Sequence, residues 1–206
     1  MTKKQDNIIW GGGPTTPMIT EERKLNVTTM DVFSRLMTDR IIFLGSSIDD
    51  DVANTIIAQL LFLDNASKTK EPINLYINSY GGNVDDGLAI YDTMKLIQSP
   101  VITTCVGKCC SMASILLAGG EKGKRRIMEH SRVMIHQPSC DFGYDTAADQ
   151  KIKLDELLKA KEILYNLLAK DTGKDVDKIL KDADRDLWFS AEDAVEYGLV
   201  DEIIKI

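Results

Sequence analysis

A serine and a histidine lie where two strand-like segments of the sequence end. Ser111 follows a β-branched, apolar run at 101–106 and opens a run of small apolar residues that predicts a buried helix. A serine at a helix start lies near unpaired backbone N–H groups and the positive end of the helix dipole. Such surroundings stabilise the negative charge that develops during acyl transfer. The same position also suits a helix cap without any catalytic role.

His136 is the residue that makes Ser111 a candidate nucleophile. It ends the apolar segment 133–135 and precedes Gln137 and Pro138, where a strand must stop. A serine hydroxyl is a weak nucleophile until a base takes its proton, and a histidine at a strand end is well placed to do so. The spacing alone leaves open whether the two residues form a pair. An acid would orient the imidazole, but the chain has many acids and their chemistry selects none of them.

Backbone N–H groups that could hold an oxyanion are found at two places. Gly81 and Gly82 directly follow a strand and would let the backbone approach a substrate carbonyl closely, although a plain turn explains them as well. The N–H of Met112, next to Ser111, is the other natural donor. The sequence around Ser111 is Cys-Cys-Ser-Met-Ala and lacks the G-x-S-x-G motif, which excludes an α/β-hydrolase.

Strand-like and helix-like segments alternate along the chain. This pattern predicts an α/β fold in which helices cover parallel strands. The first helix would be capped by Thr28 or Thr29, and residues 107–110 would form a turn. We expect strands at 40–45, 73–78, 101–106, 125–127, 132–135 and 199–204, and helices at 30–37, 49–63, 84–97, 111–119 and 147–170, followed by two short helices.

The helix predicted at 147–170 is long for a small domain. Apolar residues recur along it at helical spacing, and Lys161 interrupts their stripe. A helix of this length could project and pack against another copy of the chain, but an ordinary surface helix explains the pattern equally well. No regular heptad persists, which disfavours a coiled coil.

Length and composition limit the class of protein. With 206 residues and 44% hydrophobic content, the chain can form one sizeable core, and we expect one domain at 19–206. Residues 1–18 are polar and glycine-rich, which predicts a flexible arm. The net charge of −7 argues against nucleic acid or an anionic membrane as a partner. No segment has the length of a membrane span or the pattern of a secretory signal, so we expect a cytoplasmic protein.

The four cysteines fit a reducing compartment. They are Cys105, Cys109, Cys110 and Cys140, and no two of them form a C-x-x-C pair. Their spacing is poor for zinc, and only two histidines could assist. We therefore expect reduced thiols and no metal site.

Over residues 18–204 the sequence resembles the caseinolytic (Clp) protease family, which is peptidase family S14. Several blocks occur in the family's order, which makes the resemblance specific. They are 33–36, 40–44, 75–79 with Gly81 and Gly82, 90–94, 110–113, 131–138, 184–186, 189–191 and 196–201.

The resemblance implies a fold and a role for each matching residue. The fold would be ClpP/crotonase-like, with a protruding handle helix at about 147–170 that interdigitates two rings. Ser111 would be the nucleophile, His136 the general base and Asp186 the orienting acid, with the N–H groups of Gly82 and Met112 as the oxyanion hole and Arg185 near the ring–ring contact.

The resemblance also implies an activity and partners. The chain would be a serine endopeptidase subunit that degrades unfolded proteins to short peptides inside a chamber of two stacked heptamers. An ATP-driven unfoldase of the ClpX, ClpA or ClpC type would deliver the substrate. The reaction would need neither a cofactor nor a metal.

The sequence departs from the family pattern in three places. Tyr80 stands where the family has proline, and residues 139–142 replace a glycine pair. Asn74 and Arg126 occupy positions where docking-pocket aromatic residues are usual, whereas Tyr76 is kept. These departures indicate a divergent member of the family, and they leave open whether its rings are homomeric or shared with a second ClpP.

Three functional classes therefore compete. A serine peptidase subunit is favoured by Ser111, His136 and Asp186 together. A weakly active or regulatory ring subunit is the alternative, although a silent subunit would normally have lost one of the three. A crotonase-type acyl-CoA enzyme would share the fold but has no reason to keep both the serine and the histidine.

Overall fold

The computed structural model describes residues 18–23, 26–141 and 143–205. Within these ranges, helices and strands alternate. The strands are β1 (Met18–Arg23), β2 (Asn26–Asp31), β3 (Ile41–Leu44), β4 (Ile73–Ser79), β5 (Val101–Cys110), β6 (Arg126–Met128), β7 (Arg132–Ile135), β8 (Leu187–Phe189) and β9 (Glu202–Ile204). The helices are α1 (Val32–Thr38), α2 (Asp50–Ala66), α3 (Val84–Leu96), α4 (Met112–Ala118), α5 (Ala147–Thr172), α6 (Val176–Asp182) and α7 (Ala191–Tyr197).

The central sheet of the described residues has seven strands and confirms the predicted α/β class. Its path is β3-β4-β5-β6-β9, while β7 pairs with β5 and, antiparallel, with β8. The other pairs in this sheet are parallel. Strand β5 pairs with β6 through Thr104 and Cys105, and with β7 further along, through Lys108 to Cys110. The ends of β5 and β7 therefore lie side by side.

The core lies between the sheet and the helices packed on it. Alternate residues of β4 are buried, and every residue of α4 is buried, so the helix that follows Ser111 is held firmly on both sides. This packing supplies the apolar burial that stabilises the domain. The largest fully buried side chains are Ile42, Leu44, Leu60, Ile73, Leu75, Ile77, Ile90, Met112, Leu116, Leu117, Ile127 and Ile135.

The start of the first helix corrects the sequence prediction. Thr28 and Thr29 do not cap α1, because they belong to β2, which pairs with β1 in an antiparallel hairpin that was not predicted. Asp31 is the cap, and its carboxylate accepts hydrogen bonds from the N–H groups of Phe33 and Ser34. Threonine and aspartate are both good capping residues, so the length of β2 decides between them.

Residues 107–110 form part of β5 rather than the predicted turn. Gly107 has φ 83°, and its N–H donates to Ser131 Oγ at 2.7 Å. The β4–β5 register shifts there, so that β5 contains extra residues in a bulge. Two smaller corrections concern the C-terminal region: β8 was not predicted, and β9 covers Glu202–Ile204 rather than 199–204.

Helix α5 has two different halves. None of residues 147–163 is buried, and large apolar side chains such as Ile152, Leu154 and Leu158 are exposed along it. Its buried residues, from Leu164 to Ala169, pack on the core. The large apolar side chains of the first half are therefore left exposed by the described chain, and packing of this half against a second copy stays a prediction.

Some predictions fall outside the described residues. The N-terminal arm at 1–18 does so except for Met18, as does Phe142. In the part of the chain that is described, no helix is long and apolar enough to cross a membrane.

Candidate active site

Ser111 occupies the sharp connection between β5 and α4. Its φ of 54° and ψ of −126° lie in a region that a residue with a side chain rarely adopts. Hydrogen bonds hold it there: its N–H donates to Met134 O at 2.9 Å, and its carbonyl accepts from Ser114 Oγ at 2.6 Å. The Ser111 hydroxyl makes no capping bond to α4, so helix capping does not explain this serine.

His136 bonds to both of the other candidate residues. Its Nε2 lies 2.8 Å from Ser111 Oγ, and its Nδ1 lies 3.0 Å from Asp186 Oδ1. An ionised carboxylate only accepts hydrogen bonds, so Nδ1 carries the proton and Nε2 is free to accept the serine proton. This tautomer is the one that general-base catalysis requires.

The sheet explains why residues so far apart in sequence meet. Strand β7 ends next to β5, which brings His136 to Ser111, and it pairs antiparallel with β8, which begins at Leu187. Asp186 therefore comes directly before a strand that lies against the end of β7. Its carboxylate is 61% exposed, so water screens its interaction with the imidazole in the single chain.

The backbone of Gly81 and Gly82 lies against the nucleophile. The N–H of Ile48 donates to Gly81 O, and Asn83 N–H donates to Ile48 O. In such a bridge the N–H of the intervening residue, Gly82, points away from Ile48. Gly82 and Met112 both line the cavity that contains Ser111, as an oxyanion hole requires.

Only glycine fits at position 82. Its φ is 155°, and a Cβ atom there would lie 2.1 Å from the carbonyl oxygen of Ile48. Gly81 has φ 92°, and a Cβ there would lie 2.8 Å from Met112 N and 2.9 Å from Ser111 Cβ. The glycine pair therefore allows the β4–α3 connection to approach the nucleophile closely.

A small cavity adjoins Ser111, and several apolar residues form one part of its wall. Val84, Ile115, Leu164 and Leu168 contribute to its wall together with Tyr165, whose hydroxyl donates to Ala183 O at 3.4 Å. These residues were not predicted as site residues. The sequence carried a signal for them, since Leu164, Tyr165 and Leu168 belong to the buried stripe of α5.

Cys110, although adjacent to Ser111, is poorly suited to act as a nucleophile. Its side chain is fully buried, and burial raises the pKa of its thiol. A thiol rather than a thiolate is thus present near neutral pH, and a thiol is the less reactive form. Burial likewise raises the pKa of the Cys109 thiol.

The departures from the family pattern lie in different parts of the structure. Tyr80 is exposed, and the Lys108 ammonium lies 4.1 Å from the centre of its ring. Ser139 lines the cavity, whereas Cys140 is exposed. Arg126 pairs with Glu202 across β6 and β9 at 2.5 Å.

The structure thus brings five of the six predicted site residues together. The sixth, Arg185, lines a neighbouring cavity together with His136 and Asp186, but its side chain is 88% exposed, with Nε 3.7 Å from Asp184 Oδ2. Among the residues that the structure describes, no three His, Cys, Asp or Glu side chains are grouped as a metal site would need. A serine, a histidine and an aspartate bonded in series beside two backbone donors are the arrangement on which serine hydrolases rely.

Comparison with known proteins identifies the family. A model of the Clp protease family matches residues 23–206. A protein of Bacteroides fragilis named "ATP-dependent Clp protease proteolytic subunit" is 53% identical over 192 residues, which cover 93% of this chain and 92% of that protein. Proteins of the same name from Bacteroides thetaiotaomicron and Porphyromonas gingivalis are 52% identical, covering 93% and 92% of this chain and 86% and 85% of their own lengths. The chain belongs to the Clp protease family.

Proposed function

We propose that this chain is the serine endopeptidase subunit of an ATP-dependent Clp protease, and that it degrades unfolded proteins to short peptides. The observation that carries the proposal is the hydrogen-bonded series from Ser111 Oγ through His136 to Asp186. Family membership supports it, because relatives of more than half identical sequence bear the name of the proteolytic subunit.

The reaction begins with proton transfer from Ser111 to His136. As Ser111 Oγ attacks the peptide carbonyl carbon, Nε2 of His136 takes the hydroxyl proton, and Asp186 stabilises the imidazolium that forms. The carbonyl oxygen becomes an oxyanion that accepts hydrogen bonds from the N–H groups of Gly82 and Met112.

The second half of the cycle releases both products. The imidazolium of His136 gives its proton to the leaving amine, the C–N bond breaks and an acyl-enzyme ester remains on Ser111. Water then attacks the ester carbonyl while His136 takes a proton from that water. The acyl–oxygen bond breaks, the proton returns to Ser111 Oγ, and the peptide leaves as a carboxylic acid.

The assembly follows from family membership and from α5. Clp proteases associate with Clp ATPases and are oligomeric, and we propose two stacked heptamers joined through α5, with Arg185 near their contact. The exposed apolar side chains on the first half of α5 support such a contact, because water is a poor environment for them. An unfoldase of the ClpX, ClpA or ClpC type would supply unfolded chains, and the cytoplasm is the expected compartment.

A second candidate is a weakly active or regulatory subunit in a ring shared with another ClpP. It is favoured by Arg126, whose ion pair with Glu202 puts charge where the family carries a docking aromatic residue. A charged surface there weakens the burial of an unfoldase's apolar loop. A purified homomeric assembly that stimulates its unfoldase and degrades protein normally would exclude this candidate.

Hydrolysis of a fluorogenic peptide by the assembled protein tests the proposed function. Wild type should hydrolyse the peptide, and Ser111→Ala should lose at least about a thousandfold in kcat. Ser67→Ala, at the C-terminal end of α2 and away from the cavity, is the matched control for loss of a hydroxyl and should match wild type. Equal rates in wild type and Ser111→Ala would refute the proposal.

A further inference from the structure

Lys161 has a partner that explains why it interrupts the apolar stripe of α5. Its ammonium lies 3.0 Å from Gln137 Oε1 and 5.4 Å from the centre of the Tyr165 ring. An apolar residue at this position would pack on Tyr165 but would offer Gln137 no donor. The lysine is therefore suited to a polar contact rather than to core packing.

Gln137 carries this contact on to a third segment. Its Nε2 donates to Asp184 O at 2.8 Å. We call the two hydrogen bonds, Lys161 Nζ to Gln137 Oε1 and Gln137 Nε2 to Asp184 O, the Gln137 bridge. The bridge joins α5, the residue after His136, and the segment that precedes Asp186.

Lys161 also fixes which way the Gln137 amide faces. An ammonium group can only donate, so the amide oxygen must face Lys161 and the amide N–H groups must face the carbonyl of Asp184. Without Lys161 the amide oxygen loses its donor, and only the bond from Gln137 Nε2 to Asp184 O restrains the side chain. The donor on α5 therefore adds a second restraint on Gln137 and connects this side chain to the helix.

Two hydrogen-bonded attachments between neighbouring segments flank the His136–Asp186 pair, and the bridge is the second of them. On one side, Ile135 pairs with Leu187 in the β7–β8 ladder. On the other side, Gln137 bonds to the backbone of Asp184. His136 therefore lies between two residues, Ile135 and Gln137, that are each attached to the segment containing Asp186.

Asp186 lies between the corresponding ties of its own segment, Asp184 and Leu187. This support matters because the Asp186 carboxylate is well exposed and has no burial to hold it. The side chain of Asp184 adds only a long contact, with Oδ1 3.5 Å from Gln137 Nε2. The tie is therefore made mainly by the backbone carbonyl.

We propose that Lys161 and Gln137 are positioning residues that hold His136 and Asp186 at hydrogen-bonding distance and so connect α5 to the reactivity of Ser111. The proposal rests on the proposed peptidase function. Neither residue touches the substrate in this account, so their loss should lower kcat and leave KM nearly unchanged.

The test compares kcat and KM for peptide hydrolysis by assembled protein, isolated at the same mass for each variant. Lys161→Met keeps the length of the side chain and Gln137→Leu keeps its shape, and each should lower kcat about tenfold with KM within about twofold. Lys159→Met, an exposed lysine on the same helix, is the matched control and should match wild type. Lys161→Arg keeps a donor and should recover most of the loss.

The double variant separates positioning from a general loss of packing. Because both residues act through one bridge, Lys161→Met with Gln137→Leu should cost no more than either change alone. Multiplied losses, or a rise in KM with unchanged kcat, would overturn the proposal. Because Gln137 lies outside α5, Gln137→Leu still tests the role of the bridge if Lys161→Met fails to assemble.

Failure of the bridge and failure of the proposed function give different results. Wild type that neither hydrolyses peptide nor reacts with a fluorophosphonate refutes the function. Active wild type with bridge variants of equal kcat refutes only the bridge.

Discussion

Ser111 is held in a backbone conformation that costs about 1–3 kcal/mol for a residue with a side chain. Three features offset this cost: the bond from its N–H to Met134 O, the two bonds that its carbonyl accepts from Ser114, and the fully buried helix behind it. The strain leaves the hydroxyl pointing at His136 rather than at the helix N-terminus. A hydroxyl held in this way is ready to react without a rearrangement.

The Asp186 carboxylate should act by orienting His136. Asp186→Asn keeps the shape but can offer its amide N–H to Nδ1, which favours the tautomer that protonates Nε2. We expect kcat to fall at least about a hundredfold. Steady-state peptide hydrolysis measures this, with Asp177→Asn on α6 as the matched control that should behave as wild type. A loss below about fivefold would show that Asp186 has no orienting role.

Gly82 should tolerate no side chain at all. In Gly82→Ala the new Cβ would lie 2.1 Å from Ile48 O, so the backbone must move. The N–H of residue 82 would then leave its position beside Ser111. Loss of one oxyanion donor lowers kcat about a hundredfold or more. The matched control is Gly123→Ala, because Gly123 also has positive φ but a Cβ added there would meet no described atom within 4 Å. Active Gly82→Ala protein with wild-type kcat would exclude this donor.

At the level of helices and strands, one buried arginine, Arg125, connects the ends of two helices with the start of a strand. Arg125 is 3% exposed and donates to Ala118 O at the end of α4 and to Asp171 O near the end of α5. Its Nη2 lies 2.6 Å from Oδ1 of Asp201, the residue just before β9. This ion pair fixes the helices that flank the candidate site relative to the sheet.

Asp201→Asn should therefore destabilise the fold in a pH-dependent way. Burial raises the pKa of the Asp201 carboxyl, but the hydrogen bonds from Arg125 and Gly123 outweigh it and leave that pKa below its usual value. Because the pKa of Asp201 is lower in the folded chain than in the unfolded chain, where it is about 3.9, the ionised carboxylate stabilises the fold at pH values above about 3.9. This contribution is lost as the pH falls through the pKa of the folded chain. The difference between wild type and variant should be about 3 kcal/mol at neutral pH.

Chemical unfolding from pH 7 down to pH 3 measures this difference, which should shrink toward the acid end. Glu202→Gln removes the neighbouring, exposed ion pair with Arg126 and is the matched control, with an effect below about 1 kcal/mol. Equal losses of stability in the two variants would contradict the assigned role of Arg125 and Asp201.

The elements that the sequence predicted well are those whose own residues determine them. Apolar runs and long amphipathic stretches located β3, β4 and α2 to within a few residues, as well as α5. The sequence did not predict β8, because a strand of three residues exists only through its pairing with β7. The sequence predicts a turn rather than a bulge at Gly107 for a similar reason, since the partner of the Gly107 N–H is Ser131, which is distant in sequence.

The sequence predicts the members of the candidate site less completely than it predicts the long helices and strands. Ser111 and His136 stood out by type and by position at strand ends, but a spacing of 25 residues carries no distance in space. Asp186 was chosen by family resemblance, because no local pattern distinguishes it from the other acids. The Gln137 bridge could not be predicted, because its members are distant in sequence. The sequence showed only that Lys161 interrupts an apolar stripe.

For the molecule as a whole, the first half of α5 matters because its large apolar side chains are exposed in the described chain. Fourteen copies of a 22.9 kDa chain would give a particle of about 320 kDa. Leu154→Asp combined with Leu158→Asp places charge on the exposed apolar side of the helix and should yield smaller particles. Light scattering coupled to size exclusion measures their mass.

Leu96→Asp is the control for that experiment. Leu96 is also an exposed leucine, but it ends α3 rather than lying on α5, and its variant should keep the wild-type mass. A wild type that remains a monomer, or an α5 variant of unchanged mass, would contradict the proposed role of α5 in assembly.

Ser111 is the proposed nucleophile of the assembled protein, and every step of the proposed reaction passes through it. Labelling with a fluorophosphonate probe tests this most directly, because the probe reacts with an activated serine and not with an ordinary one. Wild type and Cys110→Ser should each take up one label per chain, and Ser111→Ala should take up none. Label that persists in Ser111→Ala, or that never appears on assembled wild type, would contradict the account.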